Sequence, residues 1–154
     1  MIRIIKHSRT LNLLSSDGEL LFSCKVSLGK SPVGAKEKEG DMKTPEGRYR
    51  ITHINPKSKY HIALGVSYPG KKDALAALRE KRIGKAAAVR ILLSDLLRVR
   101  PPWKTSLGGF VMIHGEHPDG LSGDWTAGCV AVRNKEIEAI AKIVKRGEIV
   151  EILP

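Results

Sequence analysis

The first half of the chain carries short apolar runs of strand composition, separated by turn signals. Residues 48–53 alternate between polar and apolar positions, as a half-buried strand does. The other strands predicted in this half cover residues 2–5, 10–14 and 19–28. Residues 30–43 are polar and rich in glycine, which predicts an exposed loop before the turn Thr44-Pro45-Glu46-Gly47.

The pattern changes in the middle of the chain, where Ala, Leu and Arg dominate and favour helix. Helices are predicted over residues 73–78 and 86–97. Asp73 is a candidate cap for the first helix, and Pro101-Pro102 prevents the second from continuing. This basic helical section, at about 71–108, is predicted to be an insertion that lies over a site as a lid.

The last third returns to strand, loop, helix and strand. The continuous apolar run 110–113 predicts a central strand that ends at His114-Gly115. Asn134 is a good N-cap for a helix with an apolar face, and residues 148–153 form a closing strand. The sequence therefore predicts a mainly β domain with peripheral helices.

Length and charge restrict the class of protein. With 154 residues, the chain fits a single domain that can bury a core of its own. No apolar stretch is long enough to span a membrane, and no signal peptide is visible. The net charge is +11, and residues 71–108 carry ten basic and three acidic side chains. Such an excess favours polyanionic partners, or it simply maintains solubility.

Cys129 and His114 are the candidate catalytic pair. A thiol is nucleophilic as the thiolate and needs a base nearby, and His114 follows a predicted strand at the start of a loop. Gly128 leaves room for a substrate carbonyl to approach the backbone, where amide groups could stabilise an oxyanion. The alternative is a small buried Cys129 and a structural His114. A Cys24–Cys129 disulfide is a further alternative, and it would abolish this chemistry.

Several separated motifs resemble the L,D-transpeptidase catalytic domain (the YkuD family). They are the run from Phe110 to His114-Gly115, then Asp124-Trp125-Thr126-Ala127-Gly128-Cys129-Val130-Ala131-Val132, and earlier Gly40-Asp41-Met42-Lys43-Thr44-Pro45-Glu46-Gly47. The second motif resembles the branch with a D-W-T-x-G-C-x-A-V signature. The resemblance extends over residues 11–153 and is weakest in 74–107.

The resemblance implies a fold, a reaction and a location. The fold would be a β-sandwich or distorted barrel. Cys129 would attack the bond between an L-centre and D-alanine in a peptidoglycan stem peptide, and His114 would accept the thiol proton. The main-chain carbonyl of Gly115 would orient the imidazole. No cofactor or metal is implied, and the location would be the cell envelope or periplasm.

Five further residues are candidates for binding substrate. Many relatives have Arg two residues after the cysteine, whereas this chain has Ala131 there and Arg133 two positions later. In an extended segment Arg133 would face the same side as Cys129 and could bind a carboxylate. The remaining candidates shape the loop or line the groove: Trp125, Asp124, Thr126 and His61.

Three other interpretations remain open at this stage. A zinc site would use His114, His117 and Cys129, but a fourth ligand is lacking. A nucleic-acid-binding module would fit the charge, yet aromatic residues are only 5% and no stacking motif is present. The closest competitor keeps the same Cys/His site and lets water accept the acyl group, as an L,D-carboxypeptidase or an amidase on a protein–peptidoglycan link does.

Overall fold

The computed structural model describes residues 1–154, with eight strands and three helices. The strands are β1 (Ile2–Ile5), β2 (Thr10–Leu14), β3 (Leu20–Lys25), β4 (Gly47–Ser58), β5 (His61–Val66), β6 (Met112–His114), β7 (Val130–Ala131) and β8 (Ile149–Leu153). The helices are α1 (Lys71–Arg79), α2 (Lys85–Leu96) and α3 (Asn134–Ile143). None of the three helices combines the length and apolarity needed to cross a membrane.

The strands form one curled sheet in the order β3-β2-β1-β8-β4-β5-β6-β7. Strand β4 turns the corner, because its first residues pair with β8 and its later ones pair with β5. The two ends of the sheet approach each other, since Ser27, just after β3, bridges to Ala131 in β7. The result is a half-barrel, which confirms the predicted mainly β, distorted-barrel class.

The core lies inside this curl and follows from the alternation of the strands. Buried and partly exposed positions alternate along β1 and β8, with Ile2, Ile4, Val150 and Ile152 turned inward. The apolar face of α3 packs against β5 and β6. Burial of these side chains is the main stabilising term, at about 1.5–3 kcal/mol for each fully buried aliphatic group.

The two middle helices form a second, smaller core beside the half-barrel. It is lined by Ala74, Ala77, Ile83, Ala88, Ile91 and Leu107. The N-cap of α1 is Gly70 rather than Asp73, whose carboxylate instead accepts the Gly70 amide at 2.8 Å from the third helical position. Asp73 therefore completes the first turn without being the cap.

The structure corrects two further sequence-based predictions. Strand β6 is an inner strand, as predicted, and pairs with β5 and β7, but it begins only at Met112, so Phe110 and Val111 lie outside it. The N-cap of α3 is Arg133, and the side chain of Asn134 accepts the Glu116 amide at 3.0 Å instead. Asn134 thus fixes the loop that follows β6 rather than the start of its own helix.

The basic insertion contacts the 36–41 loop. The Glu39 amide donates to the Ser106 carbonyl at 2.9 Å, and Arg82 donates to the Glu37 carbonyl at 2.7 Å. The Tyr68 hydroxyl reaches from the barrel to the Leu107 carbonyl at 3.1 Å. These contacts direct the chain from residue 100 onward back to the sheet at β6.

Candidate active site

Strands β6 and β7 place Cys129 and His114 on one face of the sheet. The two strands are parallel, with Ile113 opposite Val130 and His114 opposite Ala131. Ile113 and Val130 are fully buried in the core. Side chains alternate between faces along a strand, so His114 and Cys129, the residue just before β7, project from the opposite face. They are diagonal neighbours there.

The imidazole of His114 is buried and held in one orientation. Its Nδ1 lies 2.8 Å from the Gly115 carbonyl, which is an acceptor only, so Nδ1 carries the proton and Nε2 is free to accept one. The ring stacks on Tyr60 with centroids 4.4 Å apart. Burial lowers the pKa of His114 below its ordinary 6.5, although the hydrogen bond to Gly115 opposes this shift. The resting imidazole is therefore neutral.

The Cys129 thiol is partly exposed and rests protonated. Its Sγ lies 3.4 Å from the Phe110 carbonyl, to which the S–H donates. Burial raises the pKa of this thiol above 9.0, and the Met112 amide and the charge of Lys36 only partly offset that effect. The site thus holds a neutral thiol and a neutral base, so the thiol must lose its proton as it reacts. Both cysteines of the chain are free, and no disulfide forms.

Thr126 organises the turn that carries Cys129. Its buried hydroxyl donates to the Cys129 carbonyl at 2.7 Å and accepts the Gly128 amide at 3.1 Å. The Gly128 amide is therefore occupied, whereas the Cys129 amide donates to no acceptor in the chain. Of these two amides, only that of Cys129 is free to donate to a further acceptor.

The Gly40–Gly47 motif packs underneath this turn. Gly128 has φ +133°, and a Cβ there would lie 2.6 Å from the Lys43 carbonyl oxygen. Thr44 accepts the Gly29 amide at 3.0 Å, next to Gly128. The motif therefore packs against the turn that carries Cys129, through backbone contacts that tolerate only glycine at position 128.

A buried ion pair lies within the same support. Lys36 donates to Asp41 at 2.7 Å, and both side chains are less than a tenth exposed. Asp41 also accepts the Glu37, Lys38 and Lys43 amides, and this set of donors lowers its pKa to about 2 against the effect of burial. Lys36 is the cation whose charge acts on Cys129. Sequence reasoning missed it because it lies in a polar loop with no signal of burial.

Asp124 has an anchoring position. One carboxylate oxygen accepts the Leu28 amide at 2.9 Å, and the other accepts from Arg9 at 2.8 Å. Both partners belong to the β2–β3 end of the sheet. Asp124 therefore ties the loop before Cys129 across the gap between the two ends of the half-barrel.

Trp125 belongs to an aromatic cluster around the histidine. Its ring centroid is 5.6 Å from His114, 5.5 Å from Tyr60 and 5.0 Å from His117. Tyr60 is a residue that sequence reasoning missed, because it reaches His114 only through the pairing of β5 with β6. The cluster excludes water from one side of the imidazole.

Arg133 and His61 lie at the edge of this region. Arg133 is exposed at the start of α3 and lines a cleft of about 280 Å³ with Trp125 and Glu116. Ala131, by contrast, is buried, so the two residues do not share one exposed face. His61 lies 2.7 Å from Glu138 of α3, and its side-chain hydrogen bond is directed to that helix.

No group of three His, Cys, Asp or Glu side chains is gathered closely enough to hold a metal ion. His114 and His117 both lie against Trp125, but they do not converge with Cys129 on a common point. The geometry therefore offers a thiol, an imidazole and a free amide.

Comparison with solved structures defines the class of fold. The helical-cell-shape-determining protein Pgp2 of Campylobacter jejuni is 25% identical with a TM-score of 0.69, over 98% of this chain and 46% of that one. L,D-transpeptidase 1 of Mycobacterium tuberculosis has a TM-score of 0.56 at 13% identity, over 100% of this chain and 61% of that one. The half-barrel is thus the fold of L,D-transpeptidases.

The sequence identifies the family. The model of the YkuD L,D-transpeptidase catalytic domain matches residues 1–152, and the chain belongs to this family. YafK of Escherichia coli, whose name proposes an L,D-transpeptidase activity, is 36% identical over 77 residues, or 47% of this chain and 31% of YafK. The chain thus spans less than half of Pgp2 and aligns with about a third of YafK. Family members act on the peptides of peptidoglycan.

Proposed function

We propose that this chain is a peptidoglycan L,D-transpeptidase that acts through a thioester on Cys129. The observation that carries the proposal is the geometry of β6 and β7, which sets a partly exposed thiol diagonally beside a buried imidazole with a free Nε2. The substrate is the stem peptide, and the bond broken joins an L-centre, at meso-diaminopimelate, to D-alanine. Cell-envelope location is part of the proposal.

In the first half-reaction Sγ attacks the carbonyl carbon while its proton passes to Nε2 of His114. The carbonyl oxygen becomes an oxyanion, and the Cys129 amide donates to it. The C–N bond then breaks, and the leaving D-alanine amine takes the proton from His114. The product is a thioester on Cys129 and a neutral imidazole.

In the second half-reaction an acceptor attacks the thioester carbonyl. An amine acceptor gives a cross-link, and its proton passes through His114 to the departing sulfur. Water as acceptor gives hydrolysis by the same route. Gly115, whose carbonyl fixes the His114 tautomer, is required in both cases. Trp125 and Thr126 shape the site, Asp124 anchors its loop, and Arg133 and His61 are peripheral candidates for substrate contact.

Intact-mass analysis after incubation with a tetrapeptide-stem muropeptide tests the proposal. We expect the protein to gain the mass of the muropeptide less that of D-alanine, because the thioester forms as that amine leaves. Cys129→Ala should show no gain, and Cys24→Ala should behave as the wild type, since Cys24 is buried with its pKa raised to about 12. An adduct that persists in Cys129→Ala would contradict the proposal. The released products distinguish an amine from water as acceptor.

A further inference from the structure

A basic cleft opens between α2 and residues 100–110. Its volume is about 710 Å³, within the range of small-molecule and peptide sites. We define the basic cleft by the cations Arg90, Arg100 and Lys104 and by the apolar side chains of Leu93, Trp103 and Phe110. None of the nine residues that line it is acidic.

The basic cleft includes Phe110, the residue whose backbone contacts Cys129. Phe110 forms part of its wall, and the carbonyl of the same residue receives the Cys129 thiol hydrogen bond at 3.4 Å. The Phe110 ring is 55% exposed and lies 4.3 Å from Trp103. Gly109 allows this arrangement, because a Cβ there would lie 2.5 Å from Trp103. A peptide bound at Cys129 can therefore extend over Phe110 into the cleft.

The cations of the basic cleft have no anionic partner within the chain. Arg90, Arg100 and Lys104 form no salt bridge, whereas several other basic residues do. The Arg100 guanidinium lies 4.6 Å from the centre of the Trp103 ring, which holds it in place at the cleft. The Trp103 indole N–H is buried without an acceptor in the chain.

We infer that the basic cleft binds a carboxylate-bearing segment of an acidic peptide, remote from the bond that is broken. A planar guanidinium pairs with a carboxylate through two parallel hydrogen bonds, and Trp103 and Phe110 cover the adjoining apolar part of the peptide. The inference rests on the proposed function for the identity of that peptide, the stem peptide. It assigns substrate capture to residues contributed by the basic insertion.

Binding measured without turnover tests this inference. Two stem peptides are compared by calorimetry on Cys129→Ala protein: one has a free carboxylate away from the scissile bond, and the other has that carboxylate amidated. We expect amidation to weaken binding about tenfold, the effect of losing one charge-assisted pair. Arg100→Gln should weaken binding of the acidic peptide to a similar degree and leave the affinity for the amidated peptide nearly unchanged.

Lys85→Gln is the matched control. Lys85 is exposed on α2, the helix that borders the cleft, but does not itself line the cleft. Its replacement by Gln removes the same single charge as Arg100→Gln. Equal loss in Lys85→Gln and Arg100→Gln would overturn the inference, because general attraction to a +11 chain would then explain capture. Equal affinity for both peptides, or binding of neither, would overturn it as well. The proposed function fails separately, when wild-type protein forms no acyl adduct on Cys129.

Discussion

The protonation of His114 links the chemistry of one residue to the behaviour of the fold. The stacked, buried ring favours the neutral form, so its pKa lies below 6.5 in the folded chain. The unfolded chain binds the proton more readily. Stability from this residue is therefore fully present above pH 6.5 and is lost as the pH falls toward the folded pKa.

This sign gives a test by denaturation. His114→Gln keeps a neutral polar side chain and removes the titration. Between pH 7.5 and 5.5 the free energy of unfolding of the wild type should fall more than that of the variant, by at most ~1.4 kcal/mol for each pH unit. Urea titration at both pH values measures the difference, in which the other titrating groups cancel. Parallel losses in the two proteins would contradict a buried neutral imidazole.

Local patterns predicted the candidate pair, and longer-range contacts determined what surrounds it. Cys129 and His114 lie in sequence motifs that point to them directly. Tyr60, Lys36 and the Phe110 carbonyl meet the pair only through tertiary contacts, which alternation and composition do not encode. Asn134 misled the prediction of the cap because its side chain satisfies the amide of a distant loop residue instead.

At the scale of elements, the turn before β7 depends on one hydroxyl. Thr126 is buried, and its Oγ1 makes two hydrogen bonds within the segment that ends at Cys129. The strands themselves could be predicted from their alternation, but their order could not. The pairing of β1 with β8 joins opposite ends of the chain, and the parallel pairing of β6 with β7 depends on the path of the loop over residues 115–129.

Thr126→Val should therefore disturb the site more than its small change in shape suggests. The variant leaves the Gly128 amide without its acceptor, and we expect a loss of about 1–3 kcal/mol in unfolding free energy. The rate of acyl-adduct formation on Cys129 should fall as well, because the turn is no longer fixed. Thr126→Ser keeps the hydroxyl and should restore both quantities. Full activity in Thr126→Val would show that the turn is held by other contacts.

At the scale of the whole molecule, the half-barrel is closed by contacts between its two ends. The bridges from Ser27 to Ala131 and from Gly29 to Thr126 form one set of contacts, and the two bonds of Asp124 form another. These bonds differ in kind. The Arg9 pair is partly exposed, and such pairs contribute about 0–1 kcal/mol. The other bond satisfies the backbone N–H of Leu28, a fully buried residue.

Two variants of Asp124 separate these contributions. Asp124→Asn weakens the ion pair but keeps an acceptor for the Leu28 amide. It should lower the free energy of unfolding by less than about 1 kcal/mol. Asp124→Ala removes both hydrogen bonds and should lower the free energy of unfolding by about 1–3 kcal/mol. Arg9→Ala should resemble Asp124→Asn. Chemical denaturation of the three variants measures this order, and equal losses for Asp124→Asn and Asp124→Ala would show that the ion pair dominates.

The protonated state of the Cys129 thiol affects how readily its sulfur is oxidised when no substrate is bound. Peroxide and other oxidants attack sulfur as the thiolate, and a cysteine whose pKa is raised offers them little of that form. In the proposed mechanism the sulfur becomes reactive when a substrate carbonyl arrives and His114 takes the thiol proton. Without bound substrate, Cys129 is therefore expected to resist oxidation to sulfenic acid, the first step that would remove its free thiol.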